Sequence, residues 1–264
     1  MGMNSPIGMF DSGVGGLTVL RAMRQLLPLE NFIYLADTAR FPYGRKPPAM
    51  IRGFAAENAA FLESRGAKLI VIACNTASTC ADFASANVPM IGVIEPGVLA
   101  ASTASHGGVI GVLATTGTIA SHAYQQRLMA RGHEVWAMAC PMLAPLVEEG
   151  LADSLEAGLL IEHYLQTRPN NLDALILGCT HYPVLKNAIA AYLGDSIEVV
   201  DSAFATAKVV AQELQTQHLE TSQTTSGTVE HFITGDPQSY QHTASVIGGV
   251  EGTIRHLETL TQTK

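Results

Sequence analysis

The sequence predicts an α/β protein of two similar doubly wound domains with mainly parallel sheets and an active site in the cleft between them. Three observations carry this expectation. Short apolar runs alternate with helix-forming stretches nearly end to end, the βαβα order that gives parallel sheets with crossover helices. Many of those runs are apolar without alternation, as strands covered on both faces are. Finally, IVIACNTAS around Cys74 and ILGCTHYP around Cys179 repeat one design 105 residues apart, about one α/β domain.

In chain order, the expected strands are Ile7–Phe10, Phe32–Leu35, Leu69–Ala73, Met90–Val93 and Val109–Leu113, then Glu134–Ala139, Ala174–Leu177, Glu198–Val200 and Val229–Thr234. Helical patterns fall between them at Leu17–Leu27, Ala49–Ser64, Thr76–Ser85, Ser121–Ala130, Ser154–Leu165, Val184–Leu193 and Ala203–Gln217. Glu95-Pro96-Gly97 follows a strand and reads as a crossing between domains, with a comparable exit at Asp201-Ser202. Residues 1–97 plus 208–264 are therefore expected to form a discontinuous first domain, and residues 98–207 the second. Thr216–Thr228 is polar and rich in Thr and Ser, so it reads as a surface loop.

Composition narrows the function classes. The 264 residues are 47% apolar and 14% charged, which suits a globular chain with two cores. No apolar run nears the roughly 20 residues of a membrane span, so no membrane partner is expected. The opening Met1-Gly2-Met3-Asn4-Ser5-Pro6 lacks a basic n-region, and Pro6 stands where a myristoylation motif needs Ser or Thr. A cytoplasmic location is the expectation. The net charge of −8 argues against a nucleic-acid partner, and an anion site must be built from local donors. The four cysteines show neither C-x-x-C nor zinc spacing, so no metal and no disulfide framework is expected. Cys80 and Cys140 read as packing cysteines.

Several turns carry candidate chemistry. Asp11-Ser12-Gly13-Val14-Gly15-Gly16 links a strand to a helix but fails the G-x-G-x-x-G template at Thr18 and the P-loop template for want of Gly-Lys-Ser/Thr. Either Asp11 or Ser12 caps the next helix, or the turn brings backbone N–H groups, an acid and a hydroxyl to a small ligand. Tyr43 and Gly44 lie in the rigid Phe41–Pro47 loop, which is either an ordinary turn or a pocket wall. Cys74-Asn75-Thr76 and Cys179-Thr180-His181 stand at strand ends, where open α/β sheets bind ligands. A helix N-terminus there favours thiolate over thiol. A free thiol is only a few per cent thiolate at neutral pH, so a cysteine base needs help; His181 and Asp11 are within conceivable reach of Cys179 and Cys74. Asn75, Thr76 and Thr180 offer neutral donors to a carboxylate. Thr115 and Thr118 add hydroxyls, and Glu148 either ends a solvated helix or assists the histidine. Two thiols from two halves suit moving a proton from one face of a carbon to the other.

Taken together, FDSGVGGLTV, ADTARFPYG, ACNTAS, IEPG, GVLATTGT, CPMLAPLVEEG, LGCTHYP and FITGDP resemble the glutamate racemases along nearly the whole chain. The resemblance implies two α/β domains, no cofactor, glutamate as the substrate, a role in peptidoglycan precursor synthesis and a two-base mechanism. Cys74 would act on D-glutamate with support from Asp11, and Cys179 on L-glutamate with support from His181 and Glu148. Substrate contacts would come from Asp11, Ser12, Tyr43, Gly44, Asn75, Thr76, Thr180 and His181, with Thr115 and Thr118 added. Dimer arrangement varies in the family, and a homodimer is compatible with the resemblance. Ala114 departs from the glycine common there. Three other readings stand beside it: a racemase of aspartate, a hydrolase or lyase using Cys179 and His181, and an inactive binding protein.

Overall fold

The computed structural model describes residues 2–258 and 260. The chain begins with β1 (Ile7–Asp11), α1 (Leu17–Leu26), β2 (Phe32–Ala36), α2 (Pro48–Ser64), β3 (Leu69–Ile72), α3 (Asn75–Cys80), β4 (Met90–Gly92) and α4 (Ile94–Ala104). It continues through β5 (Val109–Ala114), α5 (Thr116–Ala120), α6 (Ala123–Met129), β6 (Val135–Ala139), α7 (Leu143–Glu148), α8 (Leu155–Leu165) and β7 (Leu172–Gly178). Last come α9 (Lys186–Leu193), β8 (Glu198–Asp201), α10 (Ser202–Thr216), β9 (Val229–Ile233), α11 (Pro237–Ile247) and β10 (Thr253–His256).

The strands form two parallel sheets, ordered β10-β9-β2-β1-β3-β4 and β6-β5-β7-β8. Side chains alternate between two cores, as the period of two in a strand requires. On β3, Leu69 and Val71 enter one cluster, Ile70 and Ile72 the other. On β7, Leu175 and Leu177 face the first of those clusters, while Ala174 and Ile176 enter a third. One cluster therefore runs continuously beneath both sheets. α10 helps to knit it, packing against both α1 and α4.

The order of strands decides where a ligand goes. In the first sheet the chain passes from β1 to β2 on one side, then to β3 on the other; β5, β6 and β7 repeat this in the second sheet. Each sheet thus has a switch point, and the crevice at the carboxyl ends of its two strands is the place for a ligand. Asp11 closes β1 and Cys74 follows β3 in one sheet, with Thr115 after β5 and Cys179 after β7 in the other.

Several elements differ from the sequence expectation. Glu95-Pro96-Gly97, which reads as a crossing between domains, lies in the first turn of α4, where proline loses no intrahelical hydrogen bond. α3 stops at Cys80 because Ala81 is extended (φ −62°, ψ 142°). The helix expected from Ser121 is split into α5 and α6, with His122 left-handed at φ 56° between them. The edge strand β10 is largely exposed and carries no apolar run.

Lys68 shows what holds the base of the first sheet. Its Nζ lies 2.6 Å from Glu30 Oε2 and donates to the Met3 carbonyl at 2.7 Å, with the lysine side chain fully buried. It stands ahead of β3, at the end opposite Cys74. Lys68→Met should destabilise the fold by about 3 kcal/mol, since it strands a buried carboxylate. Urea denaturation reads that loss.

Candidate active site

The two switch points face one cavity of about 150 Å³, the size at which an engineered protein cavity admits one small molecule. Ser12, Cys74, Asn75 and Thr76 line it from the first sheet, and Thr115, Cys179, Thr180 and His181 from the second. Tyr43 and Gly44 form part of its wall. Asp11, Thr118 and Glu148 lie behind this lining and act on it through hydrogen bonds described below.

The glycine-rich turn is explained by close approach. A Cβ on Gly16 would sit 2.7 Å from both Asp11 Cβ and the Tyr34 hydroxyl. A Cβ on Gly15 would sit 2.3 Å from Thr180 Oγ1 and 2.6 Å from His181 Nδ1. Neither Asp11 nor Ser12 caps α1, whose N-cap is Gly16 with no side-chain bond. Instead Asp11 Oδ2 accepts from the Gly13 N–H at 2.9 Å, and Oδ1 accepts from Thr180 Oγ1 at 3.4 Å. Thr18, at the failed glycine position, donates to the Thr180 carbonyl at 3.1 Å and so ties the two turns together.

The cysteines are not equivalent. Cys74 is the N-cap of α3, and its Sγ accepts from the Ala77 N–H at 3.4 Å. Its thiol donates to Ser12 Oγ at 3.7 Å. Burial first, then the nearby Asp11 charge, pushes its pKa up to about 12. Without substrate, the Asp11 charge adds to burial in disfavouring the Cys74 thiolate. Burial also raises the pKa of Asp11, against the opposing effects of His181 and the bonds from Gly13, Gly16 and Thr180. Cys179 is followed by a 3-10 turn (Tyr182–Leu185) rather than an α-helix, so its help comes from a side chain. His181 Nδ1 is 3.8 Å from Cys179 Sγ, and Nε2 is 2.8 Å from Glu148 Oε1. Burial opposes the imidazolium, but the bonds and charges of Cys179 and Glu148 outweigh it and hold His181 at about 10.

Two polar clusters pin the walls. Thr76, Thr115 and Thr118 close a triangle of hydroxyls at 2.9 to 3.1 Å, bridging the two sheets. The Tyr43 hydroxyl donates to Asp37 and accepts from Asn58 Nδ2 at 3.1 Å. Asp37 and Asn58 are both fully buried. Sequence reading missed Asp37, Asn58 and the cavity-lining Cys140. The ADTAR segment that contains Asp37 was a signal; Asn58 sits in an ordinary helical pattern and gave none.

A cavity with a thiol from each sheet and donors between them has the arrangement of a small-molecule site of the racemase class of isomerases. The chain belongs to the Asp/Glu/hydantoin racemase family, whose pattern it matches over residues 12–210. It is 50% identical to the glutamate racemase of Thermus thermophilus over 247 residues, covering 92% of this chain and 93% of the relative. The crystal structure of glutamate racemase from Thermus thermophilus with β-chloro-D-alanine superposes with a TM-score of 0.90 at 45% identity, covering 97% of this chain and 98% of that one. That of Francisella tularensis with D-glutamate gives 0.89 at 33% identity, covering 99% and 100%.

Proposed function

We propose that this protein interconverts L- and D-glutamate by two-base proton transfer between Cys74 and Cys179, in the cytoplasm, and so supplies D-glutamate for peptidoglycan precursors. The observation that carries the reading is the pair of strand-end thiols, one from each sheet, lining a single cavity. The relatives named above support glutamate as the substrate. A homodimer remains part of the proposal.

In the direction from D-glutamate, the Cys74 thiolate takes the α-proton and the Cys179 thiol returns one to the opposite face. The reverse direction exchanges the roles, so atoms and charge balance in each turnover. The substrate ammonium entering the cavity offsets the Asp11 charge, which after burial raises the Cys74 thiol. Charge developing on the substrate carboxylate is met by preorganised donors in a cleft that excludes water.

Racemization is tested with L-glutamate in heavy water, without added pyridoxal phosphate. Loss of optical activity with deuterium at the α-carbon of the D-product is the expected result. Unchanged optical activity with no deuterium incorporated at the α-carbon would overturn the reading. Aspartate is the comparison substrate, since one methylene is worth about 1–3 kcal/mol in a pocket.

The His181–Glu148 pair sets a pH dependence. Because the folded value of about 10 lies above the ordinary 6.5, protonated His181, held by Cys179 and Glu148, stabilises the fold fully below pH 6.5 and loses its effect as pH rises through about 10. Glu148→Gln should shrink that alkaline loss of stability, move the alkaline limb of kcat/KM toward lower pH, and cut kcat by about tenfold or more. A profile identical to wild type would count against the pair.

A further inference from the structure

Asn75 carries an unused donor at the heart of the cleft. The residue is 3% exposed and lines the cavity, yet its Nδ2 has no hydrogen-bond partner. Its Oδ1 is occupied, accepting from the Tyr124 hydroxyl at 2.7 Å. Tyr124 is fully buried in α6, on the second sheet's side, so this bond spans from one half of the molecule to the other.

An amide can be turned either way, and the two orientations are not equal here. With the phenol donating to Oδ1, the amide N–H groups remain free for an acceptor in the cavity. Turned over, Nδ2 would donate to the phenol, the phenol proton would be left buried without this acceptor, and Oδ1 would become the free group. An oxygen so placed repels a substrate carboxylate. Tyr124 keeps its proton throughout: burial first, then the neighbouring Cys179 and Asp201 charges, raises its pKa. Its ring is wedged beside Gly178, where a Cβ would lie 3.2 Å from the ring edge, directly ahead of Cys179. His122, left-handed at φ 56°, turns the chain into α6 immediately before it.

We propose that Tyr124 is a positioning residue that fixes the Asn75 amide so that Nδ2 donates to a carboxylate of the substrate. This rests on the reading of the site as a glutamate racemase. It also makes the donor dependent on the approach of the two halves, because the residue that orients it belongs to the opposite half.

Tyr124→Phe, Asn75→Ala and the double substitution test it, with KM and kcat measured for both enantiomers and a thermal melt for each protein. Tyr124→Phe should raise KM about tenfold in both directions, the loss of one hydrogen bond to a charged group. The change in kcat should be much smaller. Asn75→Ala should raise KM at least as far, and the double substitution should be no worse than Asn75→Ala alone. A KM for Tyr124→Phe within twofold of wild type would overturn the inference. So would multiplying effects in the double variant, because a merely structural role acts independently of the amide. Wild-type protein that neither turns over nor binds glutamate in calorimetry would overturn the function and the inference together.

Discussion

Replacing either thiol by a hydroxyl should cost about 10³-fold or more in racemization, in both directions. Cys74→Ser and Cys179→Ser change one atom each at buried positions, so their melts should stay close to wild type. The rate should not, because serine cannot hold the proton inventory of a thiol near neutral pH. Each residue must both take and return a proton, so losing one base disables both directions. Polarimetry from pure L- and pure D-glutamate measures this directly. A Cys74→Ser or a Cys179→Ser protein that racemizes glutamate at the wild-type rate would sink the two-base mechanism.

Gly15→Ala should be the next most damaging change, for a reason outside the thiols themselves. The new Cβ would meet Thr180 Oγ1 at 2.3 Å and His181 Nδ1 and Cε1 at 2.6 and 2.7 Å. Both side chains would have to retreat by about an ångström to restore ordinary contact, carrying the imidazole away from Cys179. Displacements of that size cost about 10²-fold in rate, and overpacking a filled site costs about 1–3 kcal/mol of stability. Measuring kcat beside the melting temperature separates the two effects. A protein with normal kcat would show that the Cys179 turn can shift without harm.

Much of this was legible in the chain. Apolar runs without polar alternation foretold buried parallel strands, and nine of them appear at nearly the expected places. The strand β10 escaped because its exposed Thr253, Arg255 and His256 form no apolar run. α4 escaped because Pro96 reads as a break, although a first helical turn tolerates it. The cysteine motifs were visible because strand, thiol and small polar residues are contiguous in sequence.

Most partners of those residues were not visible, although Glu148 was already a candidate helper of the histidine. Local spacing puts His181 beside Cys179, but only packing brings Glu148, 33 residues away, to its other nitrogen. Sequence offered Asp11 as the helper of Cys74, but not that the fold gives its oxygens to Gly13 and Thr180 or that its charge, after burial, raises the thiol in the unliganded protein. Tyr43 lies in a motif, yet its hydroxyl goes to Asp37 and Asn58. Tyr124 lies in no motif at all, and the fold sets it on Asn75. The amino-acid order by itself determined the parallel α/β class, the strand ends and the two thiols, because apolar periodicity and turn chemistry are local. The tertiary structure decided which groups meet across the cleft and what charge each one holds, because those depend on strand order and burial, which no local pattern encodes.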